Sequence, residues 1–383
     1  MKDLIIKNNE KTPYYIFNIL ELKNRINKIN EYLPENSKLC YAIKANPFLL
    51  NYIKDEDLLF EVCSPGELSI CEKYNVDSNK IVFSGVCKTQ EDIDRAYKLK
   101  VKTITLESEL HCDLLINSIK HSTNIHNQEV IIRLSSGNQF GMSPEKVETC
   151  IQKLKEIESI KIRGIHFFSG TQKKFKKITE EVEFIQNYCT DLQTKTGLEF
   201  DSIEYGPGLS YDYFSINDEK NNFSELIQFA ALIKDSEYMY VIELGRYVAS
   251  SCGSYVTELM DIKENANNNY CIIDGGINHI NYYGQMMGMK LPEIEHIKTG
   301  EAGNNVKYTI CGSLCTTADV ILRELILNNP KVGDKLVFKN IGAYSITEGI
   351  YLFLSHPLPS IYIYQGKELE KIRTQIESFE INS

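Results

Sequence analysis

The sequence predicts an α/β protein: a (β/α)8 TIM barrel with a second, mainly antiparallel β domain. Three observations lead there. Eight short β-type runs recur between residues 38 and 245. Polar stretches with apolar residues three or four apart separate them, the spacing of amphipathic helices. After about residue 250 this texture gives way to β-rich runs punctuated by turn residues.

The eight runs are KLCYAIK (38–44), DLLFEVC (57–63), KIVFSG (80–85), KTITLE (102–107), EVIIRLS (129–135), KIRGIHFFS (161–169), FDSIEYG (200–206) and YMYVIELG (238–245). Stretches such as SPGELSICEKY, TQEDIDRAYKL and SPEKVETCIQKLKEI lie between them. Regular strand–helix alternation reads as parallel βα units, and eight such units close a barrel. An open doubly wound sheet is the alternative, but no GxGxxG follows the first run. Later runs, GSYVTELMDIK, NYCIIDGG, VKYTICG, DKLVFKN and PSIYIYQGK, have few helical stretches between them and read as antiparallel strands. TPYYIFN (12–18) is a strand-like segment ahead of the barrel, expected to pair with the later β domain. The expected division is a barrel over 20–252 and a β domain from 1–19 and 253–383.

Composition narrows the function. The chain has 383 residues, 43% hydrophobic and 25% charged, as in globular proteins of ordinary solubility. No apolar run approaches the roughly 18 residues of a membrane span, and the start lacks a signal-peptide pattern. A cytoplasmic enzyme is expected. Eleven scattered cysteines form no CxxC pair, and seven histidines show no HExxH spacing; no metal site is expected. A formal charge of −10 disfavours nucleic acid and anionic membrane as partners.

Active sites of such barrels lie at the C-terminal ends of the strands. The first run ends in Lys44. The second carries Glu61, followed by Ser64, Gly66 and Glu67. The fifth carries Arg133. The sixth ends in Phe168, Ser169, Gly170 and Thr171, the seventh runs into Gly206, Pro207 and Gly208, and the eighth ends in Glu243, Gly245 and Arg246. An amine, a guanidinium, carboxylates and glycine turns at one barrel mouth suit a phosphorylated aldehyde. A lysine can form a Schiff base with pyridoxal 5′-phosphate, and glycine turns let backbone N–H groups approach a phosphate. The lysine-rich stretch KKFKK (173–177) reads as a solvated loop.

In this order and spacing the motifs resemble the barrel-type (fold type III) pyridoxal-phosphate decarboxylases, which include diaminopimelate, ornithine and arginine decarboxylases. The resemblance runs from TPYYIFN to the GAY turn. It implies that Lys44 in YAIKANP is the Schiff-base lysine, with Glu61 and Glu67 of FEVCSPGE as acids near the cofactor. Arg133 before QFGM would support the ring side. Thr171 and the Gly206-Pro207-Gly208 turn would bind phosphate, joined by Gly245, Arg246 and Tyr344. Glu243 in ELGRY would face the pyridine nitrogen. Cys315 in CGSLCTTAD matches the catalytic cysteine offered across a dimer interface, so a homodimer with shared active sites is implied.

Three departures bear on substrate. Where the family has His-x-His-Ile-Gly-Ser, this chain has GIHFFSGTQ: His166 is kept, and Phe168 takes the place of the histidine that stacks on the ring. Thr316 stands where diaminopimelate decarboxylases carry a glutamate after the cysteine. Their Arg-Pro pair is missing from IIDGGINHINYYGQMMG, where Asn278, His279 and Tyr283 are candidate substrate contacts, with Thr316 and Asp319. The motifs look closer to a biosynthetic branch that includes carrier-protein glutamate and siderophore-pathway decarboxylases. The function implied is loss of the α-carboxylate of an amino acid or amino-acid conjugate, free or carrier-bound. The alternatives are a racemase or epimerase on the same scaffold, diaminopimelate decarboxylase proper, and an inert binding module. Glu243 weighs against racemisation, because alanine-type racemases place an arginine at the pyridine nitrogen. The retained lysine, cysteine and phosphate contacts weigh against the inert module.

Overall fold

A computed structural model describes residues 1–8, 10–214, 223–301 and 303–383. The chain forms two compact units, one from the described parts of 25–210 and 223–247, the other from those of 1–24, 211–214 and 248–383.

In chain order, β1 (Tyr14–Asn18) belongs to the second unit. The first unit is a closed barrel of eight parallel strands: β2 (Ser37–Ala42), β3 (Leu59–Val62), β4 (Ile81–Phe83), β5 (Thr103–Leu106), β6 (Gln128–Arg133), β7 (Ile160–Phe168), β8 (Ser202–Gly206) and β9 (Met239–Leu244). All eight runs read from the sequence are barrel strands, most of them trimmed at their ends. The first stops at Ala42, and Lys44 sits in a 3-10 turn, Ile43–Ala45. The stop is chemical. Pro47 has no N–H to continue a ladder, and the Asn46 side chain accepts from the Phe48 N–H at 3.1 Å to start the next turn. Helix starts are fixed in the same way. Ser64 accepts from the Glu67 N–H at 3.1 Å, and Thr89 and Asp92 form a capping box.

Register divides the barrel interior into an apolar and a charged end. Cys40, Leu59, Val82 and Val241 form one buried cluster. Paired residues of neighbouring strands share a sheet face. Cys40 pairs with Leu59 and Glu243, Ala42 with Glu61, and Glu61 with Val82. On the far side Arg133 pairs with His166, and His166 with Glu204. That alignment depends on a bulge in β7. Val130 pairs with Ile162 but Ile131 with Gly164, so Arg163 is the extra residue. Arg163 reaches Glu129 at 2.7 Å and also bonds Asp201. Gly164 has φ +152°, and a Cβ there would overlap the Ser202 carbonyl.

The second unit is a nine-stranded sheet. To β1 it adds β10 (Gly253–Asn265), β11 (Asn268–Ile273), β12 (Ile294–Ile297), β13 (Asn305–Cys311), β14 (Val320–Asn328), β15 (Lys335–Lys339), β16 (Ser360–Tyr364) and β17 (Leu369–Arg373). Most pairs are antiparallel; β1–β16 and β11–β13 are parallel. β1 lies between β10 and β16, so the segment ahead of the barrel does pair with the later strands. Tyr14, Ile16, Val256, Val337 and Tyr362 share its core. β12, β14 and β17 were not legible as strands. In β14 two register shifts and a positive φ of 58° at Glu324 break the two-residue alternation that marks a strand. Among the described residues no helix is long and apolar enough to cross a membrane.

Replacing Gly164 tests the bulge. Gly164→Ala forces a Cβ against the Ser202 backbone and strains a positive φ, and should destabilise the chain by about 2–4 kcal/mol. Urea unfolding should show a lower midpoint than the parent; an unchanged midpoint would mean the strand slips freely.

Candidate active site

The turn after β2 aims Lys44 at the carboxylate that ends β3. Its Nζ donates to Glu61 Oε1 at 3.0 Å and Oε2 at 2.9 Å. The lysine side chain is 42% exposed while that of Glu61 is 6% exposed. The amine is thus held by a buried anion yet open to a reagent. Cys63 lies beside the pair, with Sγ 3.0 Å from Glu61 Oε1 and 3.5 Å from Lys44 Nζ. Burial, with Glu61 adjacent, pushes this thiol well above its ordinary range. The Cys63 N–H donates to Glu67 at 2.6 Å. Burial raises the Glu67 carboxyl, although that backbone bond opposes the rise.

Around the ring of strand ends the other charges are buried in groups. One Arg133 nitrogen donates to both Glu107 oxygens at 3.0 Å. Lys88, 5% exposed, donates to the Gly85 carbonyl, and burial pulls it down to about 8 despite the attraction of Glu107. At the end of β9, Glu243 meets His166 Nε2 at 3.3 Å. One ligand-type atom from each of His166, Glu204 and Glu243 lies within 4.8 Å of the others, the spacing of a possible metal group.

β7 and β8 end in an open-backbone corner. The Phe168 ring covers Gly206, where a Cβ would lie 3.2 Å from its Cε2. Gly208 has φ +61°, and a Cβ there would overlap the Gly170 carbonyl and approach Thr171 Cα to 3.1 Å. The corner is braced from behind by Lys173. This side chain, 8% exposed, donates to Glu181 at 2.6 Å, Gly206 O at 3.1 Å and Ser169 Oγ at 3.2 Å. KKFKK is therefore not simply a solvated loop: the Lys173 side chain is largely covered, and the helix Phe175–Thr196 starts within the stretch. Burial alone would raise the Glu181 carboxyl, but Lys173, Ser169 and Tyr205 together hold it below its usual value. Gly245 follows β9, and Arg246, 8% exposed, opens a short helix, Arg246–Ala249.

These groups fit a phosphorylated pyridine aldehyde. An open amine, a buried carboxylate ending a strand, and a glycine corner that a Cβ would fill are the donors such a molecule needs. Lys44, Glu61, Arg133, Phe168, Thr171, Gly206, Gly208, Glu243, Gly245 and Arg246 all lie at or just beyond strand ends of one barrel. The sequence reading missed Glu204, Cys63, Lys88, Glu107 and the Lys173–Glu181 brace. Glu204 had a signal: it is an acid two residues before Gly206, on the same face of an otherwise apolar run.

The remaining candidates lie in the β unit. Cys315 and Thr316 are exposed between β13 and β14. Asp319, 3% exposed, shapes their loop by accepting from the Ile277 and Leu314 N–H groups, each at 2.8 Å. Its carboxyl binds backbone. Tyr283 is exposed and Tyr344 half-buried, the latter with φ +67°. Asn278 and His279 are 1% and 2% exposed. The His279 ring is engaged internally: Asn278 Nδ2 donates to Nε2 at 3.2 Å, and Nδ1 donates to Tyr255 Oη at 3.0 Å. That arrangement needs a neutral imidazole, and burial lowers its pKa to about 3.

Comparison with known proteins adds a family. Residues 20–250 match the profile of the pyridoxal-dependent decarboxylase pyridoxal-binding domain, and 167–342 that of the C-terminal sheet domain. The chain is 28% identical to the 2-((L-alanin-3-ylcarbamoyl)methyl)-2-hydroxybutanedioate decarboxylase of Staphylococcus aureus, over 93% of this chain and 95% of the relative. It is 24% identical to an L-glutamyl acyl-carrier protein decarboxylase of Niallia circulans, over 95% and 91%. The crystal structure of M. jannaschii diaminopimelate decarboxylase with L-lysine superposes with a TM-score of 0.86 at 22% identity, covering 100% of this chain and 93% of that one.

His279 sets an acid limit on stability. Its folded pKa is lowered from 6.5 to about 3, so between these values the unfolded chain binds the extra proton. Stability from this group is therefore present above about 6.5 and lost as pH falls towards 3, by on the order of 4–5 kcal/mol at the bottom of the window. Urea midpoints measured against pH should fall across this window, and His279→Gln should flatten the fall. An equally steep fall in the variant would assign the effect elsewhere.

Proposed function

Because the chain belongs to the pyridoxal-dependent decarboxylases, it is an amino-acid decarboxylase that uses pyridoxal 5′-phosphate, and we propose that its substrate is an α-amino acid carrying an amide- or thioester-linked extension. The observation that carries this is Thr316. An exposed, uncharged residue follows Cys315, at the position where the family resemblance puts the glutamate that holds the far end of diaminopimelate. The two curated relatives described above are named for an amide-linked and a carrier-linked amino acid, which supports the same reading.

The bound cofactor supplies an electron sink for the pair left on Cα when carbon dioxide departs. The chain supplies the rest. Lys44 offers the amine that holds the aldehyde, and Glu61 keeps that amine oriented and can take or return its proton. Glu243 places a carboxylate where a proton on the pyridine nitrogen is to be held. The backbone of the Gly206–Gly208 corner and Arg246 receive the phosphate, and the Phe168 ring offers a flat apolar face for stacking. Cys315, at the tip of its loop, delivers a proton from Sγ to Cα in the barrel of a second copy, which makes the working unit a homodimer. A carboxylate rather than a guanidinium at the end of β9 favours decarboxylation over racemisation.

Two measurements test this. Carbon dioxide release should be fastest from a citryl amide conjugate or an acyl-carrier-linked amino acid, and much slower from meso-diaminopimelate, lysine or ornithine. Faster release from meso-diaminopimelate would overturn the extended-substrate reading. For the shared site, Lys44→Ala and Cys315→Ala should each abolish turnover. Mixing the two variants should restore part of it, because one site of each mixed dimer is then intact. Mixtures as inactive as the separate variants would place the cysteine in its own chain's site or outside catalysis.

A further inference from the structure

We propose that Glu204 is a positioning residue that keeps its proton and donates it in a hydrogen bond to the Glu243 carboxylate, so that the two acids carry one negative charge between them. The inference takes its catalytic meaning from the role given to Glu243 above.

The geometry requires a proton here. Glu204 and Glu243 are 1% and 9% exposed, and His166 is 2% exposed. One oxygen of each carboxyl lies within 4.8 Å of the other's, with a His166 ring nitrogen in the same range. Ionised carboxylates only accept, so a hydrogen bond between the two needs a proton on one of them. Oε1 of each is buried and meets no N–H or hydroxyl donor among the described residues. Charge balance leads to the same place. The groups facing the pair are His166, Glu61, Arg133, Lys44 and Cys40. Lys44 is matched by Glu61 and Arg133 by Glu107, while Cys40 is a buried thiol that burial keeps protonated. That leaves two acids facing one imidazole, and like carboxylates this close do not both ionise in a buried site.

Which acid holds the proton follows from their neighbours. Glu243 contacts His166 directly at 3.3 Å, and that histidine holds its carboxyl below the usual range against the effect of burial. Glu204 is pushed well above its ordinary range by burial and by Glu243. The donated bond withdraws charge from Glu243 and makes it a weaker base. A weaker base beside a pyridine nitrogen leaves the proton on the ring instead of taking it. The same three side chains could instead grip a divalent cation, which would need both carboxylates ionised.

Infrared spectra of the full-length, cofactor-loaded enzyme labelled with 13C-glutamate distinguish these states. The wild type should show one label-sensitive carbonyl band of a protonated carboxylic acid, unmoved from weakly acid to weakly alkaline pH. Glu204→Gln, which keeps a donor, should lose the band and hold cofactor within about three-fold of wild type, whereas Glu204→Ala should weaken cofactor binding about ten-fold or more. If Glu204→Gln does not fold, Glu204→Asp should lose the glutamate-sensitive band and show one sensitive to 13C-aspartate instead. Absence of the band in the wild type would overturn the proposal, as would its survival in Glu204→Gln. So would a stoichiometric metal ion that Glu204→Gln releases. A missing band with conjugate decarboxylation intact would sink this inference alone; a band present without such turnover would leave it standing and sink the substrate reading.

Discussion

Buried charge must be matched, and that constraint organises the open end of this barrel. Parallel strands place every side chain at their ends within reach of several others, in an interior too dry to leave an ion alone. The chain answers with pairs whose members come from different strands: Lys44 with Glu61, Arg133 with Glu107, His166 with Glu243. The members of these pairs are 17, 26 and 77 residues apart, so each pair forms only when its strands are in register. Lys44 is the informative member. Its partner is buried and it is not, which is the asymmetry a covalent anchor for an aldehyde requires.

The backbone obeys a second constraint, because the charged residues must fall on one face. The extra residue at Arg163 shifts β7 by one position and sets Gly164 in step with Ile131, and so His166 with Arg133 and Glu204. Without that shift His166 would change faces with its neighbours. Further along the strand, the missing side chain at Gly206 lets the Phe168 ring lie close to the next strand. Lys173 then fixes the corner from behind through a carbonyl and a buried carboxylate. The bulge thus sets the β6–β7–β8 side of the barrel end, while the Lys44–Glu61 pair follows from the separate β2–β3 register.

The barrel was legible because its signals are local. Each strand is a short apolar run, the helices after β3, β4 and β5 start at the capping side chains Ser64, Thr89 and Ser108, and the catalytic candidates stand at the junctions. What escaped is what depends on distance. Cys63, Lys88 and Glu107 look like ordinary members of a strand or turn until folding sets them beside Lys44 and Arg133. Lys173 has the composition of a solvated lysine run, and only the Gly208 turn and Glu181 cover it. In the β unit the alternation signal failed at β14, where bulges break the period. His279 reads as a candidate substrate ligand because it lies in the stretch where diaminopimelate decarboxylases carry an Arg-Pro pair; its partners, Asn278 and Tyr255, show a neutral ring built into the core.

The two units therefore answer to different demands. The barrel end is over-determined: changing one of its charges leaves another unmatched, so its chemistry is hard to alter piecemeal. The loop carrying Cys315 and Thr316 is built otherwise. Asp319 ties its base to backbone N–H groups at Ile277 and Leu314, while Cys315 and Thr316 at its tip are exposed, the Thr316 hydroxyl accepting from the Ala318 N–H at 3.3 Å within the loop itself. Side chains there can change without disturbing the tie that holds the loop. An exposed loop tip held at its base by a buried carboxylate can change its side chains while the charge pairs of the barrel end stay matched, and Thr316 beside Cys315 is a position of that kind.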